Sequence, residues 1–118
     1  VEVMQKVNME NCGTLPDFGN FCLKREGGKR WEAECIEEYP KYEGVKKMMP
    51  YAKAVSAKSY SFNDQGEEEI IDYKKMLKIV KEAGYTGFLG VEFEGEDIAP
   101  EKGIMATKEL LIKAGKQL

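Results

Sequence analysis

Asp17, Lys58, Glu92 and Glu94 stand where runs of small or apolar residues end, and their types are those that can do chemistry. Asp17 closes Cys12-Gly13-Thr14-Leu15-Pro16. Lys58-Ser59-Tyr60 closes Ala54-Val55-Ser56-Ala57, and Glu92 and Glu94 close Gly87-Phe88-Leu89-Gly90-Val91. Carboxylates at such ends can hold a divalent cation or act as general acid and base. Histidine is absent. That excludes a Ser-His-Asp triad, a Cys-His pair and a His-ligated metal within these residues. Catalysis here must rely on carboxylates, Lys, Tyr, Cys or a metal held by oxygen.

Each position also has a plainer reading. Asp17 follows a proline and precedes a glycine-containing loop, where Asp often bonds its own backbone. Glu94 precedes Gly95 and can simply be solvated. Glu92 resists this treatment, because an unpaired charge inside an apolar strand is costly. Tyr60 and Phe62 serve equally as packing groups. The pairs Gly27-Gly28 and Gly87/Gly90 do not form a phosphate-binding fingerprint, so a nucleotide site is unsupported. Met48-Met49 reads as core filler.

The elements that must position these residues alternate. Val1 to Asn8 reads as a helix with Val3, Met4 and Val7 on one face. Cys12 to Asp17 is a first extended run, ended by Pro16. A turn at Gly27-Gly28 leads to a short helix over Trp31 to Glu38. Tyr42 to Tyr51 is a helix with Tyr42, Val45, Met48 and Met49 on one side, ended by Pro50. Ala54 to Tyr60 is a second strand, followed by a turn at Asn63-Asp64-Gln65-Gly66. Asp72 caps a helix with Tyr73, Met76, Leu77, Val80 and Ala83 on its apolar face, and Gly84 stops it. Gly87 to Phe93 reads as a third strand, buried on both faces. Pro100 opens a last helix with Ile104, Thr107, Leu111 and Ala114 along one stripe. Alternation without a hairpin signal predicts an α/β fold with parallel strands and helical crossovers. In such folds functional groups gather where strands end.

The chain of 118 residues is long enough for one domain with one core. Its net charge of −3 gives no basic footprint, so no nucleic-acid partner is expected. No apolar run approaches the roughly 20 residues that span a bilayer, and the first residues do not read as a signal peptide. Three cysteines, Cys12, Cys22 and Cys35, at no metal-ligand spacing predict reduced thiols and a cytoplasmic setting. A chain that does not begin with Met suggests a processed chain or a fragment.

Asn11-Cys12-Gly13-Thr14-Leu15-Pro16-Asp17-Phe18-Gly19-Asn20-Phe21 resembles a segment of bacterial sugar-phosphate isomerase/epimerase proteins, of the xylose-isomerase-like barrel superfamily. Tyr42-Glu43-Gly44-Val45, Met49 to Ser59 and Gly90-Val91-Glu92-Phe93-Glu94-Gly95 resemble the same family. The resemblance implies that residues 1–118 are the C-terminal portion of a (β/α)8 TIM barrel: a partial barrel of three parallel strands, the sixth to eighth, with crossover helices. It implies a divalent metal (Mn, Mg, Zn or Co) with Asp17 and Glu92 as ligands. Glu92 would also be the catalytic base, and Asn20, Lys58 and Tyr60 would contact the substrate. Tyr60 stands near the position where related sequences can carry a His ligand.

The function so implied is metal-dependent isomerisation or epimerisation of a sugar or sugar phosphate, by proton transfer next to a carbonyl. A complete barrel needs about 250 residues. The chain alone is therefore expected to be inactive and to require a missing N-terminal half or self-association. The alternative is a non-catalytic half-barrel that binds sugar or assembles with a partner. A barrel endonuclease ranks last, because its zinc cluster is rich in His.

Overall fold

A computed structural model describes residues 1–28 and 33–118. The most regular element is the helix that the sequence marks most clearly. In α3 (Tyr73–Glu82), Asp72 accepts a hydrogen bond from the Lys75 backbone N–H at 2.9 Å, and Tyr73, Met76, Leu77 and Val80 are buried. Gly84 follows with φ 73°, a left-handed conformation that closes the helix without the steric cost of a Cβ. Ala83, assigned to the same face, is exposed.

Helix α3 connects two parallel strands, β3 (Val55–Ser59) and β4 (Leu89–Phe93), paired from Val55↔Leu89 to Ser59↔Phe93. All five residues of β3 are buried. β4 is not buried on both faces as expected; Gly90 and Glu92 are exposed, and Leu89, Val91 and Phe93 are half-buried. The last helix, α4 (Pro100–Gly115), packs on β4 and α3. Its buried stripe is Gly103, Thr107, Leu110 and Ala114, displaced from the expected one, so that Ile104 is exposed. Thr107 Oγ1 is within 2.6 Å of Ser59 Oγ, a buried polar link between α4 and the end of β3. On the other side of α3 lies α2 (Lys41–Met48), continued by a 3-10 turn over Met49–Tyr51 that contains Pro50. Phe18, Val45, Met49, Val55, Ala57 and Ile71 complete the core with the buried faces of α3 and α4. The N-terminal helix α1 (Glu2–Val7) forms as expected but buries no residue.

The expected three parallel strands of a partial TIM barrel are not present. Among the described residues there are two separate two-stranded sheets, one of them antiparallel. Cys12 to Asp17 does not become a strand. It lies beside β3 through isolated parallel bridges, Thr14↔Ala52 and Asp17↔Ser56. Pro16 sits between them, and its lack of an N–H interrupts the ladder. The second sheet is a hairpin of β1 (Cys22–Arg25) and β2 (Cys35–Glu38). The short helix expected over Trp31 to Glu38 is thus a strand at Cys35–Glu38, and Trp31 and Glu32 lie outside the described residues.

Cys22 and Cys35 form a disulfide across this hairpin, and Cys12 is the one free cysteine. The expected three reduced thiols are replaced by one, and the cysteine count no longer argues for a reducing compartment. No described helix is long and apolar enough to cross a membrane. Thiol labelling of the denatured, unreduced protein followed by peptide mapping is predicted to mark Cys12 and to leave Cys22 and Cys35 unlabelled; labelling of Cys22 and Cys35 would contradict their bridge.

Candidate functional site

The chain crosses from the buried interior to an open cleft at the C-terminal ends of β3 and β4. The parallel register puts Lys58 directly beside Glu92. The Lys58 side chain is 1% exposed, and its ammonium lies 2.7 Å from Glu92 Oε1 and 2.7 Å from Glu94 Oε1. The two glutamates stand two residues apart on the same side of the chain, the period of a strand. Ser56 Oγ donates to Glu92 Oε2 at 2.7 Å. Both oxygens of Glu92 therefore accept a hydrogen bond, and its charge, costly if unpaired, is met.

Charge and burial set the protonation of this group. The Lys58 and Ser56 hydrogen bonds hold the Glu92 carboxyl below its ordinary value of 4.5. Burial alone would weaken the Lys58 ammonium, but the bonds to Glu92 and Glu94 outweigh it and raise its pKa. Both groups are charged at neutral pH. An ammonium has three N–H donors; Glu92 and Glu94 engage two.

Asp17 lies behind the cluster, 7% exposed. Its Oδ1 accepts from the backbone N–H groups of Gly19 (2.8 Å) and Asn20 (2.9 Å), and so it does cap the loop. Its Oδ2 is buried without a hydrogen-bond partner, close enough to Glu92 and Lys58 to bias the protonation of both. The turn that Asp17 holds brings Gly19 against Lys58 and Tyr60. A Cβ on Gly19 would press on Tyr60 Oη and lie 2.8 Å from Lys58 Cγ, so a larger residue there would force these side chains to shift. Tyr60 Oη donates to the Gly19 carbonyl at 3.4 Å, and burial raises its pKa.

The cleft has a volume of about 1010 Å³, at the upper end of the roughly 300–1,000 Å³ usual for small-molecule sites. Its lining includes Asn20, Lys58, Tyr60, Glu92 and Glu94, so all the substrate-contact candidates and the candidate base share it. Asp17 supports it from behind. Four further residues were not singled out from the sequence. Leu23, Lys24 and Arg25 of β1 also line the cleft. Glu68, 8% exposed, accepts from the N–H groups of Tyr60 (3.0 Å), Ser61 (3.3 Å), Ile70 (2.7 Å) and Ile71, fixing the loop that follows β3. Only its place just before Ile70-Ile71 and the Asp72 cap hinted at that role.

Asp17 and Glu92 are brought close to each other beside Lys58. Among the described residues no group of three or more His, Cys, Asp or Glu side chains could hold a metal ion. The cation that meets Glu92 and Glu94 is the Lys58 ammonium.

No family model matches the chain. A stretch of 48 residues, 41% of the chain, is 35% identical to the 3'-dehydrocarminate deglycosidase alpha subunit of a Microbacterium species. The matched stretch spans 14% of that protein. The resemblance to isomerase/epimerase barrels thus narrows to a partial similarity with one subunit of a carbohydrate-related enzyme.

The Lys58 cluster has a measurable signature. A carboxyl depressed by folding stabilises the native state above its unfolded pKa, and that contribution is lost as the pH falls through the folded value. Urea denaturation is predicted to show Lys58→Met less stable at pH 7 by about 2 kcal/mol. That is below the ~3–5 kcal/mol of a fully buried broken pair, because both glutamates keep access to water. The deficit is predicted to shrink as the pH falls below 4.5. A deficit that does not change with pH would contradict the ion pair as its cause.

Proposed function

We propose that this chain is part of a carbohydrate-processing enzyme, and that its cleft takes a sugar bearing a carbonyl group. The reaction begins with removal of a proton from the carbon next to that carbonyl. The observation that carries this reading is the buried Lys58 ammonium, with one N–H donor beyond those given to Glu92 and Glu94, on the wall of a cleft it shares with Tyr60 and Asn20.

The roles follow from the chemistry of a carbon acid. A carbonyl acidifies the neighbouring C–H, and negative charge develops on the carbonyl oxygen as the proton leaves. Glu92 accepts the proton; the C–H electron pair forms a C=C bond, and the carbonyl π pair moves to oxygen. The remaining Lys58 N–H donates to that oxygen, at the place where charge develops. Lys58 also couples the two ends of the step. It lowers the pKa of Glu92 in the resting site, and as its charge is shared with the enolate oxygen its hold weakens and Glu92 becomes a stronger base. Tyr60 and Asn20 supply donors and acceptors for sugar hydroxyls.

Two lines support a keto sugar. The sequence resembles isomerases and epimerases, whose reactions return the proton to a neighbouring carbon or to the opposite face. The partial relative is a subunit of a 3'-dehydrocarminate deglycosidase, and a 3'-dehydro sugar carries a carbonyl in place of a hydroxyl. Both share the carbon acid.

The test is exchange of solvent deuterium into a keto sugar by the full-length protein, followed by proton NMR. Glu92→Gln is predicted to slow exchange by about 100-fold or more, the usual scale for a general base, while sugar binding persists. Exchange at the wild-type rate in Glu92→Gln would sink the role of Glu92. Binding without exchange in the wild type would make the chain a sugar-binding module.

A further inference from the structure

The Cys22–Cys35 disulfide joins two strands that have little packing to hold them. Neither β1 nor β2 contains a buried residue, and Leu23 and Ile36 are exposed. Their ladder shifts register between Cys22 and Lys24 and again between Lys24 and Arg25. Among the described residues the core draws on neither strand. A two-stranded hairpin without a packed face is marginal in water. The cross-link acts where packing does not, by removing open conformations from the segment it closes.

The two strands join the rest of the chain at Phe21 and Tyr39. Those rings stack with centroids 6.4 Å apart, and the Tyr39 N–H donates to the Phe21 carbonyl at 2.9 Å. The Phe21 ring lies against Gly44 of α2, where a Cβ would collide with it. Beyond this base, Cys22, Leu23, Lys24 and Arg25 line the same cleft as Lys58 and Glu92. The bond that orders the hairpin therefore orders part of the candidate site.

The bond is also placed where it can be cut. Cys22 and Cys35 are each half-buried and lie outside the core. A disulfide that a thiolate can reach is the labile kind. Cys12, whose Sγ lies 3.8 Å from Met4 Sδ, takes no part in it.

We propose that the Cys22–Cys35 disulfide is a redox switch on the cleft. Bonded, it keeps β1 in the cleft lining; reduced, it lets the hairpin open, and ligand binding weakens. The reductant is a dithiol. One of its thiolates attacks a sulfur of the bridge, the S–S bond breaks, and a mixed disulfide forms. Its second thiolate then displaces the protein sulfur. Two electrons and two protons pass to Cys22 and Cys35, which become thiols, and the dithiol becomes a disulfide. The effect on binding rests on the reading of the cleft as a sugar site; the response of the hairpin does not.

The experiment compares the full-length protein before and after dithiothreitol, with mass spectrometry confirming that the bond is cut. Amide hydrogen exchange is expected to quicken at residues 22–25 and 35–38 and to stay unchanged in α3. D-fructose, followed by calorimetric titration, is expected to bind about tenfold more weakly, as when only about one molecule in ten keeps a competent cleft. The double variant Cys22→Ser, Cys35→Ser is expected to show both effects without reductant and not to respond to it. Unchanged exchange in the hairpin after the bond is cut would overturn the switch. Exchange that quickens in α3 as well would also overturn it, since the bond would then be a staple for the whole fold. So would a loosened hairpin with unaltered affinity for D-fructose. A hairpin that loosens on reduction in a protein that binds no D-fructose in either state would uphold the switch in the cleft lining and refute the sugar reading.

Discussion

Everything at the cleft depends on how one buried positive charge is met. Lys58 lies in a strand whose residues are all buried, and an ammonium there is tolerated only if it is paired. The parallel register sets Glu92 beside it, and the period of the chain brings Glu94 to the same side. Shifting β4 by one residue would turn its side chains to the other face and leave Lys58 without its partners. The pairing therefore specifies the alignment of β3 with β4 as well as the charge state of the candidate base.

The acidic residues behind and beside this pair have a second duty. Asp17 and Glu68 each spend oxygens on backbone N–H groups of loops, at residues 19–20 and at residues 60, 61, 70 and 71. Among the described residues those loops have at most an isolated bridge, Phe62↔Glu68, and buried N–H groups left unmet would be costly. A carboxylate that accepts several of them holds the loop in one shape. The site is thus positioned by two kinds of constraint, strand register for Lys58 and Glu92, and carboxylate-capped turns for Asn20 and Tyr60.

How much of this the sequence carries depends on how local the cause is. The α3 helix, with Asp72 at its start and Gly84 after its end, is written in adjacent residues, and so is the start of α4 at Pro100. The hairpin is not. β1 and β2 carry Lys24, Arg25, Glu37 and Glu38 without a buried apolar alternation, and the bond between Cys22 and Cys35 joins residues 13 apart. The first extended run failed as a strand because Pro16 interrupts its ladder, although its ends still bond to the segment around β3. At the site, residue type and strand-end position were enough to single out Asp17, Lys58, Tyr60 and Glu92, and Asn20 came from the family resemblance. The central place of Lys58 was not legible, since it arises only when two strands 34 residues apart come into register. Lys24 and Arg25 were hidden for the same reason: their strand was not visible.

The measurement that tests this account most directly is the titration of the Glu92 side-chain carboxyl, followed by carbon-13 NMR in the wild type and in Lys58→Met. The account predicts a pKa below 4.5 in the wild type and a clear upward move in the variant, once the ammonium is gone. A Glu92 that titrates at the ordinary value in both proteins would show that Lys58 does not hold it, and the account of the site would fail with that pair.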